Sequence, residues 1–72
     1  MNVVIEKAVN LVGGQGKLAS MCGVTQPAVY KWLNGGLVSP QRVNAIVQAT
    51  KGEVKAHEIR PDLPHLFPHP NL

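Results

Sequence analysis

One stretch decides the fold of this 72-residue chain: residues 15–34, which read QGKLASMCGVTQPAVYKWLN. Two helices joined by a tight turn cross closely, so a small residue is needed where they touch, and Ala19 stands there. The turn favours glycine, and Gly23 follows four residues later. Apolar residues occupy the offsets that would point inward, namely Leu18, Cys22, Val24, Val29 and Trp32. This spacing predicts a helix-turn-helix unit.

The two helices of this unit are expected at about 15–22 and 25–34. Thr25 is interpreted as an N-cap whose hydroxyl accepts a hydrogen bond from a free amide of the next helix. Pro27 falls in the first turn, where its missing N–H does no harm. The first of the two helices is expected to bury Leu18, Met21 and Cys22.

The flanking segments predict more short helices. Before the unit, apolar residues recur with amphipathic-helix spacing, and the glycine pair at 13–14 ends that helix. After it, Ser39 and Pro40 form a start signal, while Lys51 and Gly52 provide a basic last turn and a stop. The expected buried stripes of these two helices are Ile5, Ala8, Val9 and Val12, then Val43, Ile46 and Val47.

The pattern weakens after residue 52. Residues 53–59 are expected to add one more short helix that packs Val54 and Ile59. Residues 1–60 then form one helix-turn-helix domain, and residues 61–72 form a proline-rich tail. Prolines at 61, 64, 68 and 70 exclude a regular helix there. The sequence predicts an all-α fold of four to five short helices.

Charge is unevenly distributed along the chain. Between residues 7 and 52 there is no acidic residue, and five basic residues give that segment a net charge of +5. Such a segment attracts a polyanion, although small soluble domains often carry a few unpaired lysines. The five are Lys7, Lys17, Lys31, Arg42 and Lys51.

The second helix of the unit divides into two faces. Val29, Trp32 and Leu33 are expected to point to the core, and the opposite face is polar without a carboxylate. The second helix of a helix-turn-helix unit is the one that enters the major groove of DNA. There a glutamine can pair with an adenine edge, and a lysine can donate to guanine or phosphate. We expect contacts to bases from Gln26, Pro27, Tyr30 and Lys31.

Phosphate contacts are expected from residues around this helix. The N-terminus of the preceding helix presents free amides at Gln15 and Gly16, a natural anion site, beside Lys17. Thr25 and Asn34 lie at the two ends of the second helix of the unit, and Arg42 lies early in the fourth helix. These contacts would fix the register of the protein on DNA without reading the sequence.

A family resemblance follows from three segments: LASMCGVTQPAVYKWLNGG, SPQRVNAIVQATKGEV and HEIRPDL. Residues 3 to about 62 resemble the small YdaS-type, Cro-like helix-turn-helix proteins of bacterial prophages. The resemblance implies a phage-repressor-like bundle, dimeric operator binding and control of prophage genes; some members are described as toxin-like. Proline at 27 departs from the small polar residue that is frequent there, so no base preference is inherited.

The sequence gives little support for a metal site, a redox-active cysteine or a catalytic site. His57, His65 and His69 invite a metal site, but prolines break the segment and no cysteine lies nearby, so neither metal nor cofactor is expected. Cys22 is the single cysteine, which excludes an intrachain disulfide, and we interpret it as packing. No catalytic arrangement is found, and the chain is not expected to be an enzyme or to use a small-molecule substrate.

The sequence therefore predicts a transcriptional regulator that binds duplex DNA as a homodimer. Residues 25–34 would enter the major groove at a near-palindromic operator. With neither a secretory signal nor a membrane span in view, a bacterial cytoplasmic, nucleoid-associated protein is expected. The alternative is a protein-interaction module, or a toxin-like component of a prophage gene pair, built on the same bundle.

Overall fold

The computed structural model describes residues 2–68, and these form five helices without a strand. The elements are α1 (Val3–Val12), α2 (Gln15–Cys22), α3 (Gln26–Leu33), α4 (Pro40–Ala49) and α5 (Ala56–Ile59). The predicted all-α fold is confirmed. His69 and Pro70 of the predicted tail lie outside the described residues.

The core is aliphatic apart from Trp32 and draws on every helix. Four of the apolar residues predicted to face inward are buried there, Leu18, Cys22, Val29 and Trp32, whereas Val24 and Leu33 are only half-buried. The buried set is Ile5, Ala8, Leu18, Ala19, Cys22, Val29, Trp32, Val38, Val43, Ile46, Val54 and Ile59. Helix α2 packs against both α3 and α4, and α3 itself rests on α1 and α2.

Glycine makes the turn between α2 and α3 possible. Gly23 has a left-handed φ of 70°, and its N–H bonds back to the carbonyls of Ala19 and Ser20. A residue with a Cβ is disfavoured in that conformation. The predicted role of Gly23 is confirmed.

Met21 was expected to be buried, and that prediction is wrong because Met21 is 56% exposed. Residues on a helix are about 100° apart, and the buried face of α2 is centred between Leu18, Cys22 and Ala19. Met21 lies roughly 100° from that centre, beyond the width that α3 and α4 cover.

The predicted side-chain cap by Thr25 is also wrong. Thr25 is the N-cap residue of α3, but its hydroxyl makes no capping bond. A capping side chain bonds to the second or third amide of the helix. Pro27 removes the second, and the third, on Ala28, donates to the backbone carbonyl of Thr25 at 3.1 Å.

The C-terminal part differs in detail from the prediction. Helix α4 ends at Ala49, so Lys51 lies beyond the last turn with a left-handed φ of 54°. Helix α5 starts only at Ala56, yet Val54 and Ile59 are buried as expected.

Two contacts tie distant segments together near the end of α3. The N–H of Asn2 donates to the carbonyl of Leu33 at 2.8 Å, which fixes the start of α1. Arg60 donates through Nη1 to the carbonyl of Val38 at 2.7 Å, in the loop between α3 and α4. Its Nε and Nη2 donate to the two carboxylate oxygens of Asp62 at 2.9 and 2.8 Å.

Candidate nucleic-acid interface

Helix α3 exposes the side chains that the sequence assigned to base contact. Gln26, Pro27, Tyr30 and Lys31 are all exposed, and Tyr30 keeps 60% of its surface accessible. Val29 and Trp32, on the opposite side of α3, are buried. The helix is therefore anchored by its apolar face and presents its polar face outward.

The starts of α2 and α3 meet in an open groove of about 330 Å³. Its lining consists of Gln15 from α2 and Gln26, Pro27 and Tyr30 from α3. Gln26 Oε1 lies 3.8 Å from the position that a Cβ on Gly16 would take, so the Gln26 side chain reaches toward the first turn of α2. Three of the four expected base contacts thus border one groove.

A second groove of about 360 Å³ continues from the first between α1 and α3. Gln15 and Tyr30 border both grooves, and Asn34 borders the second. The Asn34 Nδ2 donates to the carbonyl of Tyr30 at 2.8 Å, which holds the amide against the end of α3. The expected phosphate contacts Gln15 and Asn34 are therefore brought beside Tyr30.

Sequence reasoning missed two residues of α1 that line this second groove, Glu6 and Asn10. They are four positions apart and so share one face of α1, opposite to buried Ile5 and Ala8. The segment without acids in the sequence thus has a carboxylate as a neighbour in space. The amphipathic pattern of α1 marks Glu6 and Asn10 as outward-facing, but only the packing of α1 on α3 places them here.

The basic residues lie around the grooves rather than in them. Lys17 and Lys31 are exposed, and the Lys17 Nζ folds back to 3.6 Å from the position of a Cβ on Gly13. Arg42 of α4 reaches the turn between α2 and α3, where its Nη1 donates to the carbonyl of Cys22 at 3.3 Å. Arg42 thus lies beside the exposed Thr25 turn and apart from the two grooves.

The starts of α2 and α3 carry uncompensated positive dipole ends. Neither helix has a side-chain capping bond or an acidic residue in its first turn. The first amides of a helix need partners, and the dipole makes an anion the favoured one. For α2 these are the amides of Gln15 and Gly16, as the sequence predicted for a phosphate contact.

The remaining reactive groups do not form a second site. Burial raises the pKa of the Cys22 thiol, and the nearby Arg42 only partly opposes this, so the thiol stays neutral in the core. Among residues 2–68, no group of three His, Cys, Asp or Glu side chains could hold a metal ion. Nor does that part of the chain contain a helix long and apolar enough to cross a membrane.

These features define a class: a small five-helix bundle in which an exposed polar helix is packed on a second helix across a glycine turn. Residues 5–65 match the family model described as bacterial toxin YdaS, and the chain belongs to this family. It is 41% identical over 63 residues to a protein of Escherichia coli (strain K12) named "Putative transcriptional regulator YdaS". The match covers 86% of this chain but 64% of that relative. No solved structure matches the chain.

Proposed function

We propose that this protein is a sequence-specific, duplex-DNA-binding transcriptional regulator, a Cro-like repressor of prophage genes that inserts α3 into the major groove. The observation that carries the proposal is the polarity of α3, with Gln26, Tyr30 and Lys31 exposed on one side and Val29 and Trp32 buried on the other. The name of the Escherichia coli relative supports a role in transcription.

The side chains of α3 suit base recognition. Gln26, at the start of the helix, offers an amide that can pair with adenine, and Lys31 offers a donor for guanine. Tyr30 contributes a hydroxyl and a flat ring, and Pro27 an apolar contact for a thymine methyl. Each well-made pair discriminates against a wrong base by about 1–3 kcal/mol.

Phosphate binding would come from both sides of α3. On one side are the α2 amides at Gln15 and Gly16 with Lys17, and on the other are Thr25 and Arg42 at the turn. Asn34 would contact the backbone at the far end. Glu6 of α1 lines the second groove and repels phosphates, so we expect the DNA strand to pass on the α2 side of Tyr30 rather than over α1.

The test is selection of bound sequences from a random duplex pool. We expect a near-palindromic site, bound by two copies whose α3 helices enter successive major grooves about 34 Å apart. The Gln26→Ala variant should lose about 1–3 kcal/mol of discrimination at one position of each half-site. The matched control is Gln48→Ala, on the exposed face of α4.

An unchanged ranking of operators for Gln26→Ala would exclude Gln26 as a base contact. An unenriched pool would exclude sequence-specific binding altogether. Arg42→Ala should instead weaken all duplexes by a similar factor, since Arg42 would contact phosphate. The melting temperature of Arg42→Ala is compared with that of wild type to detect a loss of stability, because the substitution also removes the hydrogen bond to the Cys22 carbonyl.

A second candidate function is a toxin-like or protein-interaction role, which the description of the family favours. The Lys31→Glu variant separates the two, because a carboxylate on the exposed face of α3 repels DNA. If that variant loses operator binding and also its effect on cells, the regulator proposal stands. If it loses operator binding but keeps the cellular effect, the interaction role is the correct one.

A further inference from the structure

A third groove, larger than the two beside α3, lies away from the proposed DNA face. It has a volume of about 590 Å³ and is formed by the start of α1, the loop after α3 and the segment from α5 to Asp62. We call it the terminal groove. None of its lining residues borders the two grooves beside α3.

The terminal groove carries the most exposed apolar side chains of the described chain. Val3 and Leu37 are each 73% exposed, and both line it together with Ile59 and Pro61. The other exposed large apolar residues are less accessible: Leu11, Met21, Tyr30 and Leu66 range from 49% to 60%. Two such side chains beside one groove favour contact with a partner, because removing apolar surface from water is favourable.

We infer that a second copy of this chain docks on the terminal groove and forms a twofold dimer. A twofold interface uses the same patch on both copies, so that patch must be complementary to itself. Here Val3 and Leu37 project beside a hollow, which gives each copy both a protrusion and a recess. Burying about 800 Å² per copy, as stable pairs do, would take about a sixth of the 4626 Å² exposed surface.

The charges on the groove favour a neutral partner over a nucleic acid. Its two acidic residues are already bonded: Asp62 accepts two hydrogen bonds from Arg60, and Glu58 accepts one from the Lys55 N–H at 2.8 Å. The Asp62 carboxylate is balanced by the Arg60 guanidinium, so each copy brings one uncompensated carboxylate, that of Glu58, to the groove. None of the residues that line the groove is a lysine or an arginine that could bind a phosphate.

The loop that carries Leu37 is held in place for such a contact. Arg60, which is buried, fixes the neighbouring Val38 carbonyl, and the bond from Asn2 to Leu33 fixes the start of α1 beside it. A patch that is ordered before binding loses less entropy on association.

The position of the groove also suits operator spacing, an argument that rests on the proposed function. The terminal groove adjoins the C-terminal end of α3, and eight residues make α3 about 12 Å long. Two α3 helices that run outward from a twofold axis beyond Leu37 would have starts about 30 Å apart once the loops are included. This approaches the 34 Å between successive major grooves.

The test measures the mass of the full chain by light scattering after size-exclusion chromatography, without DNA. Wild type should be a dimer, and Leu37→Asp should raise the dimer dissociation constant at least about tenfold, because each dimer buries that side chain twice. Val3→Asp should do the same, and an acid at the start of α1 favours the helix, so this variant folds. The matched control, Leu66→Asp, lies outside the groove and should remain a dimer.

A wild-type monomer at concentrations that saturate an operator would overturn the inference, as would dimers of both groove variants with wild-type affinity. Loss of the dimer in Leu66→Asp alone would assign pairing to another surface. Circular dichroism establishes that each variant is folded. Failure of the DNA-binding proposal gives a different result from failure of the dimer inference. In that case wild type is a dimer and both groove variants dissociate, but no duplex is enriched from the random pool.

Discussion

Thr50 is a buried polar side chain whose hydroxyl joins two segments. It donates to the carbonyls of Ile46 and Val47, both at 3.1 Å, and accepts from the N–H of Val54 at 3.2 Å. This hydroxyl closes the end of α4 and fixes the chain where Val54 enters the core. Sequence patterns do not reveal it, because an isolated threonine after a helix resembles a surface residue.

Replacing Thr50 by valine should destabilise the fold by about 1–3 kcal/mol. The shape is nearly conserved, but the buried Val54 N–H loses its acceptor and bears the full desolvation cost. Urea unfolding, followed by circular dichroism, measures the change. Thr25→Val is the matched control and should stay within about 0.5 kcal/mol, since its exposed hydroxyl makes no capping bond.

The pair Arg60 and Asp62 makes stability depend on pH. The hydrogen bonds from Arg60 hold the pKa of Asp62 below its ordinary value, while partial burial opposes them. The folded pKa is therefore lower than the unfolded one, and the contribution is fully present above about pH 3.9. It is lost as the pH falls through the folded pKa.

Asp62→Asn should accordingly flatten the decline of the unfolding free energy below pH 4. Denaturant titrations at pH 2 to 7 test this, with Glu53→Gln, at an exposed position, as the control that keeps the wild-type profile. Equal slopes for wild type and Asp62→Asn in acid would show that the ion pair is not linked to folding.

The turn between α2 and α3 favours glycine at position 23. Gly23→Ala should cost about 1–2 kcal/mol, because φ at this position is left-handed and a Cβ is disfavoured there. Gly16→Ala is the matched change: Gly16 lies in α2 with only an ordinary contact to Gln26, so alanine should stabilise by up to about 1 kcal/mol. Thermal unfolding of the two variants should shift in opposite directions.

Most helix positions were predictable because strong local signals agree with the packing. The glycine turn at 23, the Ser39 and Pro40 start and the stripe of α1 each involve only near neighbours in the chain. Met21 was misplaced because its exposure depends on how much of α2 the neighbouring helices cover. The start of α5 was misplaced because the Thr50 hydroxyl holds residue 54 outside any helix.

The candidate site was predictable in part for the same reason. Which side of α3 faces outward follows from its own periodicity, so the exposure of Gln26 and Tyr30 was foreseeable. The presence of Glu6 and Asn10 beside Tyr30 was not, since it depends on the packing between α1 and α3. Arg42 was assigned to phosphate contact from the sequence, but its hydrogen bond to the Cys22 carbonyl joins two different helices and could not be predicted from it.

The assembled protein should bind DNA with a strong dependence on salt. If each dimer neutralises roughly six to eight phosphates, the logarithm of the binding constant falls against the logarithm of salt concentration with a slope of about −5 to −7. Fluorescence anisotropy from about 50 to 200 mM salt measures it. Lys17→Gln and Arg42→Gln should each make the slope shallower by about 2 per dimer, and a slope near zero would contradict the assignment of phosphate contacts.

Asn2 and Asp62, close to opposite ends of the described fold, line one and the same groove. Copies that pair there bring Asp62 of one copy near Asn2 of the other. A flexible linker of about ten residues spans about 16–19 Å on average, which allows both copies to be encoded as a single polypeptide. Such a tandem protein would replace a concentration-dependent encounter by an intramolecular one, with an effective concentration in the millimolar range.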